Sequence, residues 1–241
     1  MKRQKIQLVL FLLLSVVSVS AQNIQIHYDF GREIYDQDQS NRARITTTLE
    51  MFKPDAWGST FYFVDLDVTQ SGVSTAYAEI SRNINFTKNG PLSAHIEYNG
   101  GLFHSKGNGG NINNAYLLGP TYTWNASDFS RGFSLTPMYK YIQKNDKPNN
   151  FQFTATWYIN WANGLYTFDG FFDIWREKTG GSLTKMISEP QFWINLNKLP
   201  NNVCKYPISI GSEVELSKGF VNSFMEDEFY CIPTIAMKWT F

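Results

Sequence analysis

After its first 21 residues the chain has no apolar run approaching the eighteen or so residues that a membrane-spanning helix needs. A helical membrane protein is thereby excluded. Cysteine is nearly missing: Cys204 and Cys231 are the only 2, too few for a disulfide framework. Neither belongs to a CxxC pair, and the 3 histidines, His27, His95 and His104, are scattered, so no metal site is expected and nothing in the sequence asks for a cofactor. GxSxG does not occur either. Charge of one sign is not in excess, since 21 lysines and arginines face 21 aspartates and glutamates. Without a basic surplus, nucleic acid is not an expected partner. No amphipathic helix of useful length can be drawn anywhere in the chain.

What the chain does have begins at Met1, where Lys2, Arg3 and Lys5 precede an apolar run from Ile6 to Val17 and the small residues Val19, Ser20 and Ala21. This is the pattern of a cleaved secretory signal peptide over residues 1–21, too short and wrongly flanked to span a membrane. The mature part, 22–241, is 241 − 21 = 220 residues long, and losing three cations takes its formal charge from 0 to −3.

Aromatic residues make up 16% of the sequence. The final stretch, Glu228 to Phe241, puts Phe229, Cys231, Pro233, Ile235, Met237, Trp239 and Phe241 on one parity and Tyr230, Ile232, Thr234, Ala236, Lys238 and Thr240 on the other. A strand with lipid on one face and a polar lumen on the other alternates in this way, and the terminal Phe241 resembles the final aromatic of bacterial outer-membrane barrels. An edge strand of a soluble sandwich would read similarly. Eleven further alternating stretches begin near Ile24, Arg42, Gly58, Ser74, Leu92, Ile112, Gly132, Phe151, Leu165, Leu183 and Cys204. Their mean spacing of roughly 18 residues suits spanning strands joined by turns, whereas sandwiches repeat at about 8 to 12. From Phe151 to Trp161 the parity is almost complete: Phe151, Phe153, Ala155, Trp157, Ile159 and Trp161 oppose Gln152, Thr154, Thr156, Tyr158 and Asn160. The stretch near Tyr116 is apolar on both faces, and Arg82 falls on the lipid parity, which places it near the periplasmic interface where a long cation can snorkel.

The expected fold is therefore all-β: a single transmembrane antiparallel β-barrel of 12 strands in the bacterial outer membrane. An even count puts both termini on the periplasmic side. Extracellular loops then fall near Glu33–Asn41, Thr69–Gly72, Phe103–Asn111, Lys144–Asn150, Lys178–Ser182 and Lys218–Asp227, leaving little material for a plug.

Two strands have an unusual inward parity. Phe61, Phe63, Asp65 and Asp67 face the lumen on one, and Asp169, Phe171, Asp173 and Trp175 on the other. A small barrel could fill its interior with bulky groups and pair the acids with Arg42, Arg44, Lys140, Lys185 and Lys238. The functional alternative is a solute track, with rings that stack on a flat solute and carboxylates that bond its hydroxyls and amines. Tyr77, Glu79, Glu97, Tyr158, Gln191, Trp193 and Tyr230 could complete it.

LEMFKPDAWGSTFYFVDLDV (Leu49 to Val68), AYAEISRNINF (Ala76 to Phe86) and LYTFDGFFDIW (Leu165 to Trp175) resemble strands of the Tsx-type nucleoside-specific channels of the outer membrane. The resemblance is dispersed over most of the mature chain. It implies a monomeric barrel with a narrow lumen that passes nucleosides by passive diffusion, with lipid around it, and by strand position it points to Phe61, Phe63, Asp65, Asp169, Phe171 and Trp175 as solute contacts. Two other readings stand beside this one. A lumen too tightly filled to conduct would make the protein a structural barrel. An outer-membrane lipid hydrolase would need a Ser or Cys nucleophile level with an inward histidine, His27 or His95.

Overall fold

Two-residue alternation leaves each segment with one apolar and one polar face, and a sheet can satisfy both faces and every backbone group in a membrane only by closing on itself. The computed structural model describes residues 22–88, 90–105, 108–179, 182–220 and 228–241. Its strands are β1 (Gln22–Asp29), β2 (Ile45–Asp55), β3 (Gly58–Thr69), β4 (Gly72–Asn85), β5 (Leu92–Ser105), β6 (Asn108–Asn125), β7 (Arg131–Ile142), β8 (Asn149–Trp161), β9 (Tyr166–Thr179), β10 (Ser182–Ser188), β11 (Gln191–Asn195), β12 (Ile208–Lys218) and β13 (Phe229–Thr240). One short helix, α1 (Gly31–Ile34), follows β1. Each strand pairs antiparallel with its neighbours, and β13 pairs with both β12 and β1, so the sheet closes. At the seam, Asn23 lies opposite Thr240, and the Phe241 amide donates to the Gln22 carbonyl at 2.9 Å.

Strands β10 and β11 both lie between β9 and β12 and are two halves of one stave, so 13 strands make a 12-stave barrel. The interruption is Glu189 and Pro190, where proline has no N–H to give the ladder. Opposite it, Gly170 takes φ +150°, and a Cβ there would come within 2.5 Å of the Glu189 carbonyl oxygen. Only glycine lets β9 pass this close to the break.

Outward parity produces a belt of exposed apolar side chains around the barrel, among them Ile80, Ile96, Leu118, Leu135, Phe153, Ile159, Ile210, Ile235 and Met237. Near the end of the barrel where Gln22 and Phe241 meet, Trp124 stacks on Phe133, Tyr166 on Phe192, and Trp239 meets Phe241. Tyr98 and Tyr116, with Tyr139 and Tyr141, mark the other end of the belt. Two aromatic girdles bounding an apolar band are the outer signature of a membrane barrel. No helix among the described residues is long and apolar enough to cross a membrane. Arg82 does face outward, and it donates to Asp55 at the end of β2 through two bonds of 2.6 and 2.8 Å.

Some sequence expectations need correction. Arg42 and Arg44 are not on a strand, since β2 begins at Ile45. Arg42 instead ends the first loop and turns back between Asp29 and Glu215, while Arg44 pairs with Glu33 at 2.9 Å. The region from Phe103 to Asn111 is not a free loop: β5 and β6 continue their pairing there as far as Ser105 opposite Asn108. Backbone pairing between the two long strands outlasts the hydrophobic alternation of their side chains. The stretch near Tyr116 has two apolar faces because Ala115 and Leu117 point inward and cluster with Met138 and Ile142. The signal peptide at 1–21 lies outside the described residues, as do 180–181 and 221–227 of two expected loops.

Candidate functional site

Strands β3 and β9 stand six staves apart in a ring of twelve, and so face each other across the lumen. Phe61, Phe63, Asp65 and Asp67 share the inward face of β3, opposite Phe52, Glu50, Thr48 and Thr46 of β2. Asp169, Phe171, Asp173 and Trp175 share that of β9, opposite Tyr158, Thr156, Thr154 and Gln152 of β8. Elsewhere the inner wall is packed tightly, with Leu117, Met138, Trp193, Ile232 and Ser217 all below 3% exposure. Phe61, Phe63, Asp65, Asp67, Asp169, Phe171 and Asp173 keep partial access to the lumen. Trp175 does not, being 8% exposed.

Threonines on the neighbouring strands fix the carboxylates. Thr48 donates to Asp65 at 2.5 Å and Thr46 to Asp67 at 2.7 Å on one wall, and Thr154 donates to Asp173 at 2.5 Å on the other. Directly opposed pairs of this kind hold a carboxylate without neutralising it. Phe63 lies between Phe61 and Tyr77, with centroids at 6.0 and 5.9 Å, and the Tyr77 hydroxyl donates to Glu79 at 2.5 Å. Glu97 receives His95 at 3.1 Å and the Asn99 amide at 3.2 Å. Glu79, Glu97 and Asp173 lie within electrostatic reach of one another, as do Asp65 and Glu213.

Two lysines are arranged alike. The Lys140 ammonium sits 4.4 Å over the Trp175 ring and donates to Gln152 at 2.7 Å, while the Trp175 N–H donates to Glu177 at 2.9 Å. The Lys238 ammonium sits 4.0 Å over Trp193 and 3.9 Å from Asp169, whose Oδ1 is buried without a hydrogen-bond partner. Gln191 links Trp193 to Glu213, and His27 joins Glu213, Gln25 and Thr234. Desolvated ammonium–indole contacts of this kind are worth about 2 kcal/mol.

All eight residues singled out from the sequence thus occupy two facing walls, but they are not equivalent. Trp175 is a base plate for Lys140. Tyr158 and Tyr230 lie at the rims: the first donates to Asn125 at 2.9 Å, and the second is wedged against Tyr35 and bonded to Glu228 at 2.6 Å. Sequence reasoning missed Thr46, Thr48 and Thr154, whose role depends on register, and Glu189, which sits opposite Phe171 at the stave break. The inward carboxylates among the described residues are Asp29, Glu50, Asp65, Asp67, Glu79, Glu97, Asp169, Asp173, Glu177, Glu189, Glu213 and Glu215, against the cations Arg42, Lys140, Lys185 and Lys238. No group of three metal-ligating side chains that could hold an ion occurs among the described residues.

A closed 12-stave antiparallel barrel, apolar outside and polar within, is the architecture of outer-membrane porins. The chain belongs to the family described as "Domain of unknown function (DUF5020)", whose model matches residues 21–241. Among solved structures, the NanC porin is 10% identical with a TM-score of 0.57, the alignment covering 92% of this chain and 100% of that one. The KdgM porin in complex with disordered oligogalacturonate is 10% identical with a TM-score of 0.50, covering 92% and 99%. LpxR from Salmonella typhimurium is 9% identical with a TM-score of 0.51, covering 92% and 100%. At these identities the likeness is one of fold. No curated protein sequence matches the chain.

Proposed function

We propose that this protein is a monomeric bacterial outer-membrane channel through which small polar solutes diffuse passively, and that nucleosides are the solutes its lumen fits. The observation that carries the reading is the contrast within the inner wall: side chains are packed shut around most of the ring, yet the aromatic and acidic faces of β3 and β9 keep access on opposite sides. A flat base passing between Phe63 and Phe171 has a ring to stack on, worth about 1 to 3 kcal/mol. Carboxylates pinned by threonine hydroxyls are left with acceptor oxygens for ribose hydroxyls and exocyclic amines. The apolar belt and girdles supply the membrane setting, and a closed barrel leaves no strand edge to recruit a second copy. The oligogalacturonate in the KdgM porin complex supports the lumen of this architecture as a route for small polar molecules.

A non-conducting structural barrel is the second reading, and what favours it is the near-complete burial of Trp193, Ile232, Leu117 and Met138 on the inner wall. Reconstitution into liposomes separates the two. Swelling in nucleosides should outpace swelling in hexoses and pentoses of similar size. Equal rates would make the channel unselective, and no swelling would leave the structural barrel.

A further inference from the structure

Among the described residues, Asp65, Asp67, Glu79 and Asp173 have only hydroxyl donors as hydrogen-bond partners, and Glu97 has a histidine and an amide. None of the five is in an ion pair with lysine or arginine among the described residues. Carboxylates of one sign set in a narrow wall focus the field along the lumen, raising the local concentration of counter-ions on the order of tenfold or more. A second observation identifies the kind of counter-ion that is held well. Two of the three lumen lysines among the described residues, Lys140 and Lys238, hold their ammonium groups over an indole face, and Lys238 also reaches a carboxylate, Asp169. The middle of the lumen repeats these two components, aromatic faces (Phe63, Tyr77, Phe171) beside carboxylates (Asp65, Glu79, Asp173), with the Lys140 ammonium within electrostatic reach of Glu79 and Asp173.

We infer that the lumen selects cations over anions, and that among polar solutes of nucleoside size those bearing an organic ammonium group pass fastest. Lys238 over Trp193 and Lys140 over Trp175 show in the protein's own side chains how such a solute is held. The inference rests on the channel reading above and deepens it: between two solutes of one size, the positively charged one passes faster than a neutral nucleoside, and a polyanion such as oligogalacturonate is repelled. Screening acts over about 10 Å at 0.1 M salt and about 3 Å at 1 M, so the preference weakens as salt rises.

The test is the reversal potential of the purified protein in planar bilayers of neutral lipid under a tenfold KCl gradient, repeated with choline chloride. Potassium should be preferred to chloride roughly tenfold at 0.1 M, less at 1 M, and choline should also outpace chloride. The double substitution Asp65→Asn and Asp173→Asn should bring the cation-to-anion ratio towards one, in protein whose heat-modifiable gel migration is unchanged. Conductance without discrimination, or favouring chloride, overturns the inference and leaves a channel. The absence of any conductance overturns both. Potassium selectivity with chloride outpacing choline overturns the organic-cation part, and a ratio that survives the double substitution shows that these carboxylates are not its source.

Discussion

Arg42 is placed to give a large and specific loss of stability. Its guanidinium bridges Asp29 at 2.9 Å and Glu215 at 2.6 Å, carboxylates only 6% and 8% exposed at the side chain, and so ties the first loop to β1 and β12 across 173 residues. Arg42→Met would leave two adjacent buried carboxylates without their cation. Removing one partner of a buried pair costs about 3 to 5 kcal/mol. The lower end applies here, because Arg42 is 23% exposed and each carboxylate keeps one donor: the Gly31 amide on Asp29 and the Ser217 hydroxyl on Glu215, both at 2.7 Å. With a urea slope of about 1 to 3 kcal/mol per molar, a loss of about 3 kcal/mol lowers the midpoint by roughly 1 to 3 M. The assay is reversible urea unfolding in micelles at pH 7, followed by tryptophan fluorescence. Adding Asp29→Asn and Glu215→Gln to Arg42→Met should recover most of the loss, since the penalty comes from the stranded charges and not from missing packing. A single substitution costing under about 1 kcal/mol, or a triple variant as weak as the single, would refute this reasoning.

Phe171→Ala should remove a stacking surface worth about 1 to 3 kcal/mol and slow nucleoside uptake at low concentration while leaving KCl conductance nearly unchanged, with Phe153→Leu on the lipid face as control; uptake and conductance falling together would count against a binding track. A cysteine placed at Lys147, in the exposed β7–β8 loop, should react with an impermeant thiol reagent on intact cells, and one at Asn201, beyond β11, should not. The opposite labelling would invert the orientation. Cys231 pairs with Leu216, twelve residues along from Cys204, so with about 3.3 Å per strand residue the native cysteines lie too far apart to bridge; mass spectrometry finding that disulfide would show the β12–β13 register to be wrong. The Ser130 amide and hydroxyl bind Asp128 and hold its carboxyl below the usual carboxylate range. A lowered folded value stabilises the turn above the unfolded pKa and loses that contribution as pH falls through the folded one, so hydrogen exchange at the Ser130 amide should speed up below about pH 4 relative to neighbouring turns.

Much of this barrel can be read in its sequence because each spanning strand meets lipid on one face and polar neighbours on the other. Phe151 to Trp161 states that division almost residue by residue, and the inward parity of Asp65 and Asp173 follows from it alone. Features that depend on relations between distant strands could not be read. Thr48 is a carboxylate donor only because register sets it against Asp65, and Lys238 finds Trp193 two staves away. Arg42 has the parity of a strand residue but a pair of buried acids draws it out of the pattern. Leu117 and Met138 break the rule of a polar interior because they fill one side of the lumen against each other. Glu189 could not be read because the stretch from Leu183 scans as one uninterrupted strand, whereas Pro190 breaks the stave in two.

The bond between the Phe241 amide and the Gln22 carbonyl has a consequence for how the protein comes to exist. It joins residues about 220 apart along the chain, and bringing such ends together costs about 5 kcal/mol of chain entropy. Until β13 docks, β1 and β12 are both open edges, and in hydrocarbon each unpaired peptide group on them costs several kcal/mol. A partly closed barrel in the bilayer is therefore a high-energy species, and insertion has to be cooperative to the last strand. The same adjacency makes the barrel a ring with no preferred first strand: a short linker from Phe241 to Gln22 and a cut in the β7–β8 loop would give a chain of different order with the same wall.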